Sequence, residues 1–135
     1  AAAAEGWARE QRSATAVDIK DPSGTRFLRI DQTDQPGKDP KKTWEENEKS
    51  VKERLTAYER VDIEDVDYQG VPAADWEFTW GPGTHVLNRG FVPNPGKGYA
   101  IYLSSAEDQW SDSLAIFQVA ADTFEPSGGF QPAEG

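Results

Sequence analysis

The chain has no cysteine and only one histidine, His85. The lack of cysteine excludes disulfides, thiolate nucleophiles and zinc–thiolate sites. A serine–histidine–carboxylate triad would need His85 between an acid and a nucleophile, and the chain has no G-x-S-x-G turn to present that nucleophile. No Gly-rich segment matches a phosphate-binding motif. We therefore predict a non-catalytic domain with no cofactor, in which His85 is a structural or surface group.

Basic residues are also scarce, with 14 Lys and Arg against 24 Asp and Glu, for a net charge of −10. The electrostatic field of a chain with this negative charge repels phosphate backbones and anionic membrane surfaces. No apolar run approaches the roughly 20 residues that span a bilayer, and no signal peptide is evident. We expect no nucleic-acid partner and no direct binding to an anionic membrane surface.

What the chain does have is enough apolar and aromatic material for one core. Apolar residues make up 36% of the 135 positions, and there are 5 Trp, 4 Tyr and 6 Phe. This length and composition are typical of one globular domain. We assign residues 1–126 to that domain and 127–135, which are rich in Gly and Pro, to a flexible C-terminal tail.

The first part of the chain has the pattern of a hairpin. Alternating residues predict strands over Ala14–Lys20 and Arg26–Gln32, joined by a turn at Asp21–Gly24. A further short strand fits Trp7–Gln11, and Asp34–Pro40 is predicted as a loop.

A helix follows that loop. Thr43 and Glu46 have the spacing of a capping box, whereas Asp39-Pro40 would start the helix three residues earlier. An apolar stripe has helical spacing: Trp44, Val51, Leu55 and Tyr58. The charged remainder is predicted as a solvated face with two i,i+4 ion pairs, Glu45 with Lys49 and Glu48 with Lys52.

The second half returns to a period of two and then ends in another helix. A break in alternation predicts a bulge near Glu64–Asp65. The clearest strand carries Trp76 and Phe78, which we expect to be buried against one of the helices. The remaining elements are strands over Thr84–Val92 and Tyr99–Ser104 and a helix over Gln109–Thr123. The order predicts an α+β fold, with a central, mostly antiparallel β-sheet and two helices packed on it.

Acidic residues cluster in two places. Asp62, Glu64, Asp65 and Asp67 lie along one extended segment, which separates them too far for a calcium site and predicts a solvated strand edge with no metal. Asp75 and Glu77 share one strand face. They form either a polar outer surface or the acid pair of a small carboxylate-dependent hydrolase, which stays open as an alternative function.

A candidate ligand-binding surface lies on the strand over Thr84–Val92. His85 and Arg89 share a face there with Leu87 and Phe91. A guanidinium beside apolar groups can orient an anionic or amphipathic ligand. The structural alternative is that Arg89 pairs with an acid on the next strand, such as Glu77, and covers the sheet with its stem.

Several segments resemble the C-terminal extracellular domain of actinobacterial, especially streptomycete, transmembrane serine/threonine protein kinases. The resemblance covers most of the chain from Gly6 to Pro126. Its segments are Glu5-Gly6-Trp7, Val66-Asp67-Tyr68-Gln69-Gly70, Ala73-Ala74-Asp75-Trp76-Glu77-Phe78, His85-Val86-Leu87-Asn88-Arg89-Gly90-Phe91-Val92, Gly98-Tyr99-Ala100-Ile101-Tyr102-Leu103, Trp110 and Thr123-Phe124-Glu125-Pro126.

The resemblance implies a PsbP-like α/β sandwich on the outer side of a bacterial membrane. It implies a sensor domain that a membrane helix connects to an intracellular kinase and that binds a small ligand or a protein partner. The chain itself has no kinase motif: no Gly-rich phosphate loop, no H-R-D and no D-F-G. A stand-alone secreted or lipoprotein interaction domain is the other version that the resemblance allows.

Overall fold

The computed structural model describes residues 6–34, 36–94 and 96–124. The elements in chain order are β1 (Ala8–Gln11), β2 (Ala16–Lys20), β3 (Arg26–Thr33), α1 (Pro40–Arg54), β4 (Glu59–Tyr68), β5 (Val71–Trp80), β6 (Thr84–Asn94), β7 (Lys97–Ala106), a 3₁₀ turn (Glu107–Gln109) and α2 (Trp110–Thr123). The tail predicted at 127–135 lies outside the described residues.

All seven strands form one antiparallel sheet in the order β1-β2-β3-β7-β6-β5-β4. The N-terminal strands and the β4–β7 meander meet where β3 pairs with β7. The predicted α+β fold with two helices on an antiparallel sheet is confirmed. The acidic β4 segment is an edge strand, as predicted, and Asp62, Glu64, Asp65 and Asp67 are exposed.

The two helices cover opposite faces of the sheet. Because side chains alternate along each strand, one face collects Ile19, Leu28, Leu87, Phe91, Ile101 and Leu103 beneath Phe117 and Ala121 of α2. The other face collects Ile63, Ala74, Trp76, Phe78 and Val86 beneath Trp44 of α1. Trp76 and Phe78 are each 2% exposed, which confirms their predicted burial.

The first helix begins earlier than the capping box at Thr43 predicts. Asp39 is the N-cap, and its carboxylate accepts a hydrogen bond from the Lys42 backbone N–H at 3.2 Å. Pro40 suits the first helical position because its missing N–H would have no partner there. Thr43 instead donates its hydroxyl to the Asp39 carbonyl, so the alternative start at Asp39-Pro40 is the correct one.

The bulge in β4 lies at Val61 and not at Glu64–Asp65, so that prediction is wrong. The register shifts between Arg60 and Asp62. The extra residue lets Arg60 and Ile63, three positions apart, face α1 together, and it leaves Val61 53% exposed. In the sequence Val61 and Ile63 therefore look like residues of one strand face, but the strand register changes at Val61.

Both predicted ion pairs within α1 are wrong. Glu48 is only 8% exposed and bonds to Arg60 of β4 in place of Lys52, while Lys49 pairs with Glu46 at 3.5 Å in place of Glu45. Glu48 follows Trp44 by four residues, so it lies on the same helical stripe and faces the sheet.

A glycine allows α1 to approach the sheet closely. A Cβ atom on Gly90 of β6 would lie 2.6 Å from Cζ2 of Trp44. The Trp44 ring is held in place, because its Nε1–H donates to the Ala74 carbonyl at 3.0 Å. No side chain larger than hydrogen fits at position 90 without moving this ring.

We expect Gly90→Ala to lower the free energy of unfolding by about 1–3 kcal/mol, because the methyl group overpacks the Trp44 site. Alanine is otherwise no worse than glycine in a strand. Urea unfolding measures the effect. In a Trp44→Phe background the smaller ring should reduce the cost of Gly90→Ala. A Gly90→Ala protein as stable as the parent would show that Trp44 does not pack there.

Candidate functional site

His85 lies on β6, on the side covered by α2. Its Nε2 is 2.7 Å from Glu77, its Nδ1 is 3.0 Å from Glu107, and its ring stacks on Trp110 with centroids 3.6 Å apart. The imidazole therefore links β5 and β6 to the 3₁₀ turn before α2. Both nitrogens and the stacked face of the ring are already in contact with the protein.

Arg89 is likewise engaged within the fold. Its Nε and Nη2 donate to the two carboxylate oxygens of Asp75 at 2.7 and 2.9 Å, and its guanidinium lies over the rings of Tyr68 and Phe117. This is the geometry of the structural alternative, with Asp75 as the partner in place of Glu77. Ligand binding by His85 and Arg89 stays a prediction, and their surroundings lead us to look for the candidate site elsewhere.

Asp75 and Glu77 do not form a free pair for hydrolysis. Asp75 is paired with Arg89 and Glu77 with His85. On the neighbouring strand, Asp62 raises the pKa of Glu64 above its ordinary value. Within the described residues, no group of three or more His, Cys, Asp or Glu side chains is placed to hold a metal ion.

A groove lies beside α1 on the opposite face. The helix packs mainly on β4, β5 and β6. One helix about 10 Å across cannot cover seven strands about 4.8 Å apart, so part of this face stays open. The resulting groove has a volume of about 420 Å³, which is within the range of small-molecule sites. Its lining residues are Arg29, Trp44, Asn47, Ser50, Val51, Arg54, Leu55, Trp76, Phe78, Trp80, Asn88 and Tyr102.

Aromatic rings make up much of this groove, which we call the α1 groove. Trp76, Phe78 and Trp80 come from successive same-face positions of β5, and Tyr102 comes from β7. The Trp76 indole is fixed because its Nε1–H donates to the Tyr58 hydroxyl at 2.9 Å. Trp76 and Phe78 are almost fully buried and form the floor, so the more accessible rings of Trp80 and Tyr102 are the ones that a ligand would contact.

Two buried polar atoms at the groove have no hydrogen-bond partner among the described residues: Trp80 Nε1 and Asn88 Oδ1. Leaving such an atom unsatisfied costs about 1–3 kcal/mol. Asn88 lies opposite Trp76 in the ladder, between Val86 and Gly90 on an otherwise apolar face. A hydrophobic residue there would avoid the cost, so the position calls for an explanation beyond packing.

Two arginines complete the lining. Arg29 donates to the buried carboxylate of Asp18 at 2.7 and 3.3 Å, which raises its pKa, and it lies over the ring of Tyr102. Arg54 ends α1 and makes no ion pair within the described part of the chain. Among the residues that the structure describes, none of those lining the groove is acidic.

A smaller hollow of about 240 Å³ adjoins the α1 groove and shares Trp44 and Asn47 with it. Pro36, Gly37 and Gly98 form part of its wall. It extends the open surface toward the start of α1.

Glu48 fixes the wall of the groove. Its carboxylate accepts hydrogen bonds from the Tyr58 hydroxyl at 2.6 Å and from Arg60 Nε at 2.7 Å. The bond from Arg60 lowers the pKa of Glu48 to about 2, and burial together with Glu48 raises the pKa of Tyr58 to about 12. Through Tyr58 the network continues to the Trp76 indole. This carboxylate therefore ties α1 to β4 directly and to β5 through Tyr58.

We expect Glu48→Gln to lower the free energy of unfolding at pH 7 by about 2 kcal/mol, less than the pKa shift alone implies, because Arg60 is half exposed. The folded-state pKa is depressed from 4.5, so this stabilisation is complete above pH 4.5 and is lost as the pH falls toward 2.

Urea unfolding at several pH values tests this. The difference between the parent and Glu48→Gln should shrink as the pH is lowered from 7 toward 3. Glu53→Gln, at an exposed position of the same helix, should change stability by less than about 0.5 kcal/mol. A pH-independent difference would mean that the carboxylate charge is not what holds α1.

The sequence did not identify the groove residues as a site, because the pattern of their side chains predicts positions in the hydrophobic core. One signal was available: Asn88 interrupts the apolar side of the strand that also carries Val86 and Gly90. Nothing in the neighbouring sequence marks Arg54 or Tyr102 as a site residue, because the two come together only through the pairing of distant strands.

Comparisons with known proteins agree with this fold. A family model described as "Serine/threonine kinase C-terminal domain" matches residues 1–126. The solution structure of cyanobacterial PsbP (CyanoP) from Synechocystis sp. PCC 6803 is similar with a TM-score of 0.64 at 19% identity, over 88% of this chain and 81% of that one. PA94 from Pseudomonas aeruginosa, described as a protein of unknown function and putative regulator, has a TM-score of 0.66 at 13% identity, over 89% and 96%.

These structural likenesses establish the fold and confirm the predicted PsbP-like arrangement. No curated protein matches the sequence significantly. In the described part of the chain, neither helix is long and apolar enough to cross a membrane.

Proposed function

Because the chain belongs to the family of serine/threonine kinase C-terminal domains, we propose that it is the non-catalytic, extracellular sensor domain of a membrane serine/threonine kinase. We propose further that it binds a small ligand in the α1 groove. The observation that carries this proposal is an open groove of about 420 Å³ whose lining combines aromatic rings with Asn88, Ser50 and two arginines.

The composition of the groove supports a ligand more than a purely structural role. A groove made only for folding would be filled by side chains, since interiors are normally close-packed. Here three indoles and a phenol border open volume. Small-molecule sites combine such apolar walls with a few polar groups that fix orientation.

The surroundings of the acidic residues support a non-catalytic role. General acid–base work needs a carboxyl group or imidazole that can reach a substrate proton. His85, Asp75 and Glu77 are instead bonded to partners in the protein. The hydrolase alternative thus has no geometric support.

Binding can be followed by ¹⁵N–¹H NMR of the five indole N–H groups, with naphthalene-2-carboxamide as a neutral aromatic probe. We expect the signals of Trp44, Trp76 and Trp80 to shift on titration, because a bound ring changes the local magnetic environment. Those of Trp7 and Trp110, which do not line the groove, should stay in place.

A matched pair of variants serves as the control. Ser50→Phe places a ring at the mouth of the groove and should abolish the shifts, whereas Ser111→Phe, at an exposed position of α2, should leave them unchanged. If the probe shifts Trp110 as strongly as Trp80, or if Ser50→Phe has no effect, the groove is not the binding site.

The absence of cysteine provides a test of the extracellular location. In cells that make the full parent kinase, Ser111→Cys should react with a membrane-impermeant maleimide without lysis, because Ser111 is exposed. The parent without this substitution gives the background. Labelling that appears only after lysis would place the domain inside the cell.

A further inference from the structure

We infer that the α1 groove selects a small organic anion, with a flat aromatic or apolar body and one carboxylate group. This inference rests on the proposed function and specifies its ligand. Its basis is the charge of the lining: among the described residues, the ionised side chains that line the groove are Arg29 and Arg54, in a chain whose net charge is −10.

The charge of the groove contrasts with the rest of the domain. Acidic residues outnumber basic ones by 24 to 14, so an uncharged or negative groove would be the ordinary expectation. Two nearby acids are already bonded, Asp18 to Arg29 and Glu48 to Arg60 and Tyr58, while Asp31 lies outside the groove and lines the adjoining hollow. Within the described lining of the groove itself, a cationic ligand would meet two arginines, whereas an anionic ligand would meet complementary charge.

Arg54 is the residue that we assign to the anion. It lies in the last turn of α1 and has no ion-pair partner within residues 6–34, 36–94 and 96–124. It lines the groove together with Tyr102 and Trp80. A guanidinium presents parallel N–H groups that match the two oxygens of a carboxylate.

Arg29 has a different role. Its charge is balanced by the bidentate bond to Asp18, and its planar group lies 5.0 Å from the ring of Phe27 and 5.7 Å from that of Tyr102. We therefore treat it as a positioning residue that holds the Tyr102 ring. The body of the ligand would lie against Tyr102 and the β5 indoles.

The size and shape of the groove limit the occupant to a small molecule. Its volume of about 420 Å³ is near the lower end of the usual range for ligand sites, roughly 300–1,000 Å³. A carboxylate-bearing aromatic compound combines the features that this lining favours.

Three naphthalene derivatives of nearly equal size test the inference: naphthalene-2-carboxylate, naphthalene-2-carboxamide and the cation of naphthalen-2-ylmethylamine. Dissociation constants come from the Trp80 indole signal at low and at physiological salt. We expect the carboxylate to bind about tenfold more tightly than the carboxamide, and the cation to bind most weakly. The preference should fall as salt rises.

Two variants remove one positive charge each from the same turn of α1. Arg54→Gln should weaken binding of the carboxylate until its dissociation constant is within about threefold of that of the carboxamide. The dissociation constant of the carboxamide should stay unchanged. Lys52→Gln, which is exposed and does not line the groove, should keep the tenfold preference. Both variants should show the parent pattern of indole signals without probe, which confirms that they fold.

The outcomes separate the two proposals. Equal binding of all three compounds in the groove would overturn the anion inference and leave the proposed ligand site intact. If Arg54→Gln and Lys52→Gln reduce the preference for the carboxylate equally, the anion inference is also overturned. The overall charge of the domain, rather than Arg54, would then be responsible for the preference. If none of the three compounds shifts the Trp44, Trp76 and Trp80 signals, both proposals fail.

Discussion

The buried carboxylate of Glu48 fixes the relation between α1 and the sheet, on which the rest of this face depends. It is bonded to Arg60 on the edge strand and to Tyr58 in the connection after the helix, and Tyr58 in turn accepts from the Trp76 indole. Burying a charge is costly unless it is paired and hydrogen-bonded, and here both conditions are met. The helix is therefore held toward the β4 side of the sheet.

That off-centre position explains why a groove exists. On the α2 side, Phe117, Ala121 and Phe124 cover a core that includes β2, β3, β6 and β7. On the α1 side, the helix reaches β6 but leaves Tyr102 of β7 and Arg29 of β3 beside open volume. The close approach of Trp44 to Gly90 lowers the helix onto the sheet at one point and defines the end that the two hollows share. The same features that stabilise the helix thus shape the site.

Local patterns in the sequence predicted the fold well. Alternation identified the strand with Trp76 and Phe78 and its buried face, and the order of strands and helices identified the α+β class. The errors lie where a partner distant in sequence decides the outcome. Glu48 looked solvated until Arg60 was placed beside it, and the bulge at Val61 depends on the pairing of β4 with β5.

The site was harder to predict than the fold for the same reason. Arg89 was singled out as an isolated cation, but the register of β5 and β6 places it directly opposite Asp75. The α1 groove brings together residues from β3, α1, β5, β6 and β7, and the key pairing of β3 with β7 joins segments about seventy residues apart. No window of sequence contains that information.

The location of the ligand site is tested most directly by nuclear Overhauser contacts between bound naphthalene-2-carboxylate and the protein. We predict contacts from the naphthalene protons to the rings of Trp80 and Tyr102, with the carboxylate end toward Arg54. Contacts to Trp110 and Tyr68, beside His85 and Arg89 on the opposite face, would contradict the assignment of the site to the α1 groove.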